Sequence, residues 1–220
     1  MSSENSLRHP VLLDLYDQFL ADEDTAALIH RVGHRYNQAA LTHLLNNHER
    51  LVRRAAALAL GYLGDFQCNA TLGRALHDLD RGVRMLAENG IRSVWCRVGS
   101  ERQRREIAAI IALNTTKKYQ QALDRAVALT ELSPDFAEAW NQLAIAQYCS
   151  EYYVEAINSC HDALELNPYH FGAAAGMGQC YLKLDEQALA LEAFRRALNL
   201  NPGLEGVRAN VVYLERALEK

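Results

Sequence analysis

Apolar positions recur at helical spacing from near the start of the chain. Leu12, Leu15, Tyr16, Phe19 and Leu20 fall on one stripe, with Pro10 suited to the first turn of that helix and residues 1 to about 9 read as a fraying tail. Asp24 or Thr25 can cap a second helix that points Leu28, Ile29 and Val32 inward. The pattern then begins to repeat. Gln38-Ala39-Ala40-Leu41 returns as Asn69-Ala70-Thr71-Leu72, Val52-Arg53 as Val83-Arg84, and Ala56 as Ala87, all at one common offset. After residue 103 the period lengthens. Pro134, Pro168 and Pro202 are evenly spaced at this longer step, and Ala122, Ala156 and Ala190 keep it too. A fixed period with small residues and a closing proline is the mark of stacked two-helix units. A last amphipathic stretch, 203–218, turns Val207, Val211, Leu214 and Leu218 inward, with Arg208, Glu215 and Arg216 on a polar outer face.

Local signals refine these elements. Ser100-x-x-Gln103 and Asp135-x-x-Glu138 each have the spacing of a capping box. Gly64 after an apolar helix fits a left-handed stop, and Gly61 inside that helix implies close packing. Without a Gly/Pro/Ser-rich linker near Gly99-Ser100, the two periods predict one continuous solenoid, with Trp95 a candidate for the seam. The predicted class is all-α, an α-α superhelix.

The line Val52 to Asp65 and the piece Asp78-x-Asp80-x-x-Val83-Arg84 resemble the HEAT repeat, in the short bacterial type seen in phycobilisome-lyase-like proteins. The resemblance implies a ladder in which an Asp of the inter-helix turn and an Arg early in the second helix hold repeats in register. Asp78 and Arg84 fit it, and Asn47 at the Asp place implies a weaker rung with Arg53. Residues 1–99 are thus expected to be a HEAT-like array. The later period resembles the tetratricopeptide family: Trp140, Leu143, Ala156 and Pro168 in one unit, and Gly178, Tyr181, Ala190, Phe194 and Pro202 in the next. The unit ending at Pro134 keeps Ala122 but has Glu106 at the Trp place. Residues 100–220 are expected to hold three such units, about 103–136, 137–170 and 171–204, and a capping helix.

Composition narrows the function. The chain is half hydrophobic with net charge −4. Residues 1–99 carry 11 Arg against 11 acidic side chains, and residues 100–220 carry 12 basic against 16 acidic, so neither half has the net basic face of a general nucleic-acid binder. The five cysteines form no C-x-x-C pair, the longest apolar run near the middle is Ile107 to Leu113, and the polar start resembles no leader, so a cytoplasmic address with no membrane span is expected. No G-x-S-x-G, P-loop or Rossmann glycine pattern is present, and neither an enzyme nor a cofactor is expected. His30 and His34 have a spacing that could seat a metal, but without the glutamate of H-E-x-x-H they read as solvated surface side chains.

The tetratricopeptide resemblance implies a hollow face lined by the first helix of each unit. Its positions are Ile107, Ile111 and Asn114, then Glu138, Asn141, Ile145 and Tyr148, then Gly172, Ala175, Gln179 and Lys183. Apolar anchors with amides suit a peptide or protein segment. Gly172 and Gly176 could leave a bare strip there, flanked by His170 and Phe171. Ile111, Asn141, Ile145, Tyr148, His170, Phe171, Gly172, Ala175, Gly176 and Gln179 are therefore the expected partner-binding residues. The carboxylate clamp with which some family members hold heat-shock chaperones needs basic side chains where this chain has Ile107, Ile111, Asn141 or Gln142, Gly172 and Gly176, so no chaperone of that kind is expected as a partner. The expected function is a non-enzymatic adaptor. The alternatives are a lyase-like protein of cofactor attachment, or its partner, and RNA docking along Arg50, Arg53, Arg54, Arg81, Arg84 and Arg92.

Overall fold

The computed structural model describes residues 11–219, so the expected tail and the role of Pro10 lie outside the described residues. Those residues divide into two compact units, 11–94 and 95–219.

In the first unit, α1 (Val11–Asp22) pairs with α2 (Thr25–Arg35), and α3 (Gln38–Leu44) with α4 (Arg50–Leu63). A single turn at Phe66–Cys68 leads to α5 (Asn69–Ala75) and α6 (Arg81–Cys96), whose last two residues, Trp95 and Cys96, are counted with the second unit. Asp24 caps α2, its carboxylate accepting the Ala27 N–H at 2.9 Å. Leu12, Leu15, Tyr16, Leu28 and Val32 are buried as their spacing requires, whereas Leu20 is exposed.

The shorter step is a property of the backbone as well as of the sequence. The start of α5 follows that of α3 by the same offset that separates the start of α6 from that of α4. Arg53 donates to the carbonyls of Asn47 and His48, and Arg84 donates to those of Asp78 and Leu79. The rung between successive repeats differs from the expected one. It is Arg53 that grips Asp78, at 2.7 and 2.9 Å through two nitrogens, so the acid serves the arginine of the preceding repeat rather than its own. Arg54 holds Asp80 in the same bidentate way, both bonds at 2.7 Å. Burial pushes the Asp78 carboxyl up, but the Arg53 and backbone hydrogen bonds prevail and hold it below the ordinary range. The Arg54 hydrogen bond holds Asp80 well below that range.

Two glycines shape this unit. A Cβ on Gly61 would stand 2.9 Å from the Gly90 Cα, so α4 and α6 cross with backbones nearly touching. Gly64 is not the left-handed stop its place suggests. Its φ of −71° is ordinary, and glycine is required instead because a Cβ would strike the Cys68 Sγ and the Leu60 carbonyl oxygen at 2.6 Å.

The second unit contains α7 (Glu101–Thr115), α8 (Tyr119–Leu132), α9 (Ala137–Cys149), α10 (Tyr153–Leu166), α11 (Phe171–Lys183), α12 (Gln187–Leu200) and α13 (Glu205–Leu218). Helices α8, α10 and α12 start at even intervals equal to the spacing of the three prolines, and so do α9, α11 and α13. The final helix therefore stands where the first helix of a further unit would. The turns repeat too. Lys117, Glu151 and Asp185 all take a left-handed backbone (φ 59°, 67° and 62°), and the following amide reaches back to a carbonyl near the end of the preceding helix in each case. Ala122, Ala156 and Ala190 are wholly buried, as small residues must be where paired helices touch. Gly178 has the same logic, since a Cβ there would lie 2.6 Å from the Phe194 ring.

The Ser100–Gln103 capping box forms at the start of α7. The Asp135–Glu138 box does not. Phe136 occupies the cap position without a side-chain bond, because Glu138 is engaged elsewhere. Glu106, at the Trp place of the first unit in this series, makes a bidentate pair with Arg125 of α8 at 2.6 and 2.7 Å, while Trp140 in the next unit donates to the Pro134 carbonyl. No helix among the described residues is long and apolar enough to cross a membrane.

Candidate functional site

Helix α9 packs on both α7 and α11, so the first helices of the pairs form one inner layer in the second unit. A hydrogen-bonded chain of polar side chains runs across that layer. The Asn114 amide at the end of α7 donates to the Gln142 side-chain oxygen at 2.9 Å. The Gln142 and Asn141 amides donate to the Glu138 Oε1 at 2.8 and 3.1 Å. The Glu138 Oε2 meets the His170 Nε2 at 3.0 Å.

His170 is the N-cap of α11. Its Nδ1 accepts the Ala173 N–H at 3.1 Å, which places the ring proton on Nε2, the atom that donates to Glu138. Trp95 stacks on the imidazole with centroids 4.2 Å apart and planes 20° apart, and tilts against Phe171 at 5.1 Å. Glu138 is 6% exposed and His170 1%. Burial pushes the Glu138 carboxyl up, but hydrogen bonds and electrostatic attraction from His170, with the two amides, outweigh it and hold the group below its ordinary value. Its place in the first turn of α9 favours the same charge. The carboxylate is thus a satisfied buried anion that ties α7, α9 and α11 together.

The expected binding residues separate around this floor. Ile145 stands 39% exposed on α9, and Ile111, Tyr148, Gly172, Ala175, Gly176 and Gln179 are half-buried. The Tyr148 ring lies 5.6 Å from that of Tyr153, and burial raises its hydroxyl pKa while the charge of Lys183 lowers it by less. Asn141 is buried and holds Glu138. His170 and Phe171 are interior, at 1% and 0% exposure, and support the layer from beneath. A Cβ on Gly172 would meet the His170 ring at 3.4 Å, and one on Gly176 would meet the Cys160 Sγ of α10 at 3.4 Å. Glu138 is the group whose part the expected set omits. A signal existed, because the separation of Glu138 and His170 along the chain is close to one repeat period, which sets them on neighbouring pairs.

Burial pushes the Cys160 thiol far up and the Cys180 thiol up to about 11, so neither is poised as a nucleophile. Among the described residues, the grouping of three potential metal ligands is His161, Asp162 and Glu165 on α10, partly or fully exposed.

No family model matches the chain. A TPR repeat-containing protein of Rhizobium etli is 34% identical over 80 residues, 36% of this chain and 38% of the relative. The chain therefore spans well under half the length of that relative. The first TPR of Spaghetti (RPAP3), bound to the HSP90 peptide SRMEEVD, superposes with a TM-score of 0.53 at 20% identity, over 56% of this chain and 98% of that one. The Yersinia enterocolitica type III secretion chaperone SycD, in complex with a peptide of the translocator YopD, gives 0.51 at 16% identity over 55% and 98%. The chain is an all-helical protein of stacked helix pairs, and over a little more than half its length it shares the tetratricopeptide-like fold of those structures.

The expected exclusion of heat-shock chaperones is corrected by the same finding. A structure of this fold carries an HSP90 peptide. The exclusion rested on matching single side chains to a family pattern, and at 20% identity the positions that meet a ligand need not correspond one to one. Neutral amides and helix N-termini also hold carboxylates.

Proposed function

We propose that the inner layer of the second unit, α7, α9 and α11, holds a peptide or an extended segment of a partner protein. The observation that carries this reading is the contrast on α9. Ile145 is exposed and Tyr148 half-exposed above a floor whose Glu138 carboxylate is fully hydrogen-bonded. A rigid, satisfied floor under apolar anchors lowers the ordering cost of binding. Gln179 and the half-buried Gly172 and Ala175 on α11 extend the same surface, and Ile111 borders it on α7. The peptides carried by RPAP3 and SycD make the acidic HSP90 peptide SRMEEVD and a translocator-like peptide the first ligands to try. The first unit is read as a short HEAT-like array, on the strength of the matched carbonyl caps of Arg53 and Arg84.

The test is fluorescence polarisation with labelled SRMEEVD peptide and with a library of unrelated peptides, on the full chain and on Ile145→Arg and Tyr148→Ala. Each variant is expected to lose at least about tenfold in affinity, roughly 1.4 kcal/mol, with an unchanged melting curve. Wild-type affinity in both variants, at unchanged stability, would remove the inner layer as the binding face.

A further inference from the structure

We propose that His30 and His34 form a bidentate seat for a late first-row divalent metal ion such as Cu2+, Ni2+ or Zn2+. Both side chains lie on α2, away from the buried Leu28 and Val32. Their Nε2 atoms are 3.1 Å apart, and the rings stand edge to face at 72° with centroids at 4.4 Å. Imidazole nitrogens bind these ions at roughly 2.0–2.1 Å. Two such bonds ending on nitrogens 3.1 Å apart enclose about 100° at the metal, between the octahedral and tetrahedral angles. The spacing already present is therefore a chelating bite, reached without moving the helix.

Without an ion the same contact is an N–H···N hydrogen bond, one ring donating and the other accepting. Metal entry needs a lone pair on both Nε2 atoms, so the donating ring carries its proton on Nδ1 instead, and the pair stays neutral. His34 lies in the last turn of α2, where the carbonyl end of the helix favours a cation. The adjacent Arg31 guanidinium is held by the Gln18 side-chain oxygen at 2.6 Å. An all-imidazole pair selects late transition ions over Mg2+ or Ca2+, which prefer oxygen. Among the described residues no acid or thiol joins the pair to make a group of three, so the remaining coordination positions are open to water or to an outside side chain.

The experiment uses the full chain without an affinity tag, stripped with chelator and titrated with Cu2+. Low-temperature electron paramagnetic resonance is expected to show one equivalent bound through two imidazole nitrogens. His30→Ala and His34→Ala should each weaken that site by about a hundredfold. His161→Ala, which removes the histidine of the α10 group, should leave it unchanged, as should excess Mg2+. A His30→Ala/His34→Ala double variant that keeps the site would overturn the proposal. So would a wild-type chain whose strongest site matches a single imidazole, since the pair would then be a hydrogen bond only.

Discussion

The two units solve one problem with different chemistry. Both stack short helix pairs, and each must tie one pair to the next with polar groups. The first unit does so with arginine–aspartate pairs, Arg53–Asp78 and Arg54–Asp80, whose side chains remain partly open to solvent. The second does so with an interior chain of one carboxylate, one imidazole and three amides. A partly exposed ion pair is screened, and losing it costs little. A buried pair cannot be halved without stranding a charge. The polar groups of the inner layer in the second unit are accordingly less replaceable than the two arginine–aspartate pairs of the first. They lie directly beneath the surface proposed to bind.

The largest effect should come from His170→Ala. It removes the cap of α11, the stack on Trp95 and the donor to Glu138 together. A loss of about 3–5 kcal/mol is expected. Denaturation followed by fluorescence reports it cleanly, because both tryptophans, Trp95 and Trp140, belong to the second unit. A loss below about 1 kcal/mol, the level of a screened surface pair, would erase the contrast between the two units.

Glycine substitutions should come next. Gly178→Ala drives a methyl group into the Phe194 ring and is expected to cost about 1–3 kcal/mol. Gly172→Ala makes only near-normal contacts and should be neutral or stabilising by up to about 1 kcal/mol, through helix propensity. Equal melting points for these two variants would contradict the packing described for α11 and α12.

The smallest effect concerns acid. Folded Asp78 and Asp80 titrate below their unfolded values, so their contribution is complete above about pH 4 and fades as the pH falls through the depressed range. Asp80→Asn should flatten the acid limb of the circular dichroism signal by less than about 1 kcal/mol, leaving the fluorescence limb in place. Glu138, also depressed, governs that second limb. A fluorescence limb that moved with Asp80→Asn would mean the two units do not titrate separately.

Much of the architecture was legible beforehand. The shorter and longer repeat steps, the helix-pair class, the Asp24 and Ser100 caps and the close approach at Gly61 all follow from spacing and local propensity, and the structure has each of them. Other features escaped that reasoning. Asp135-x-x-Glu138 has the letters of a capping box, yet Glu138 turns away from the backbone to His170. Asp78 answers to Arg53 rather than to the arginine of its own repeat, and Gly64 serves packing rather than a left-handed turn. His30 and His34 sit one helical turn apart in the sequence, but only the structure brings their Nε2 atoms to 3.1 Å, the separation on which the proposed metal seat rests. By itself the amino-acid order determined the helices and their repeat, because hydrophobic period and capping act within a few residues. The tertiary structure decided which polar groups meet across neighbouring pairs. That choice depends on how helices far apart in the chain are packed, and the energy of a buried carboxylate is set by whichever donors surround it.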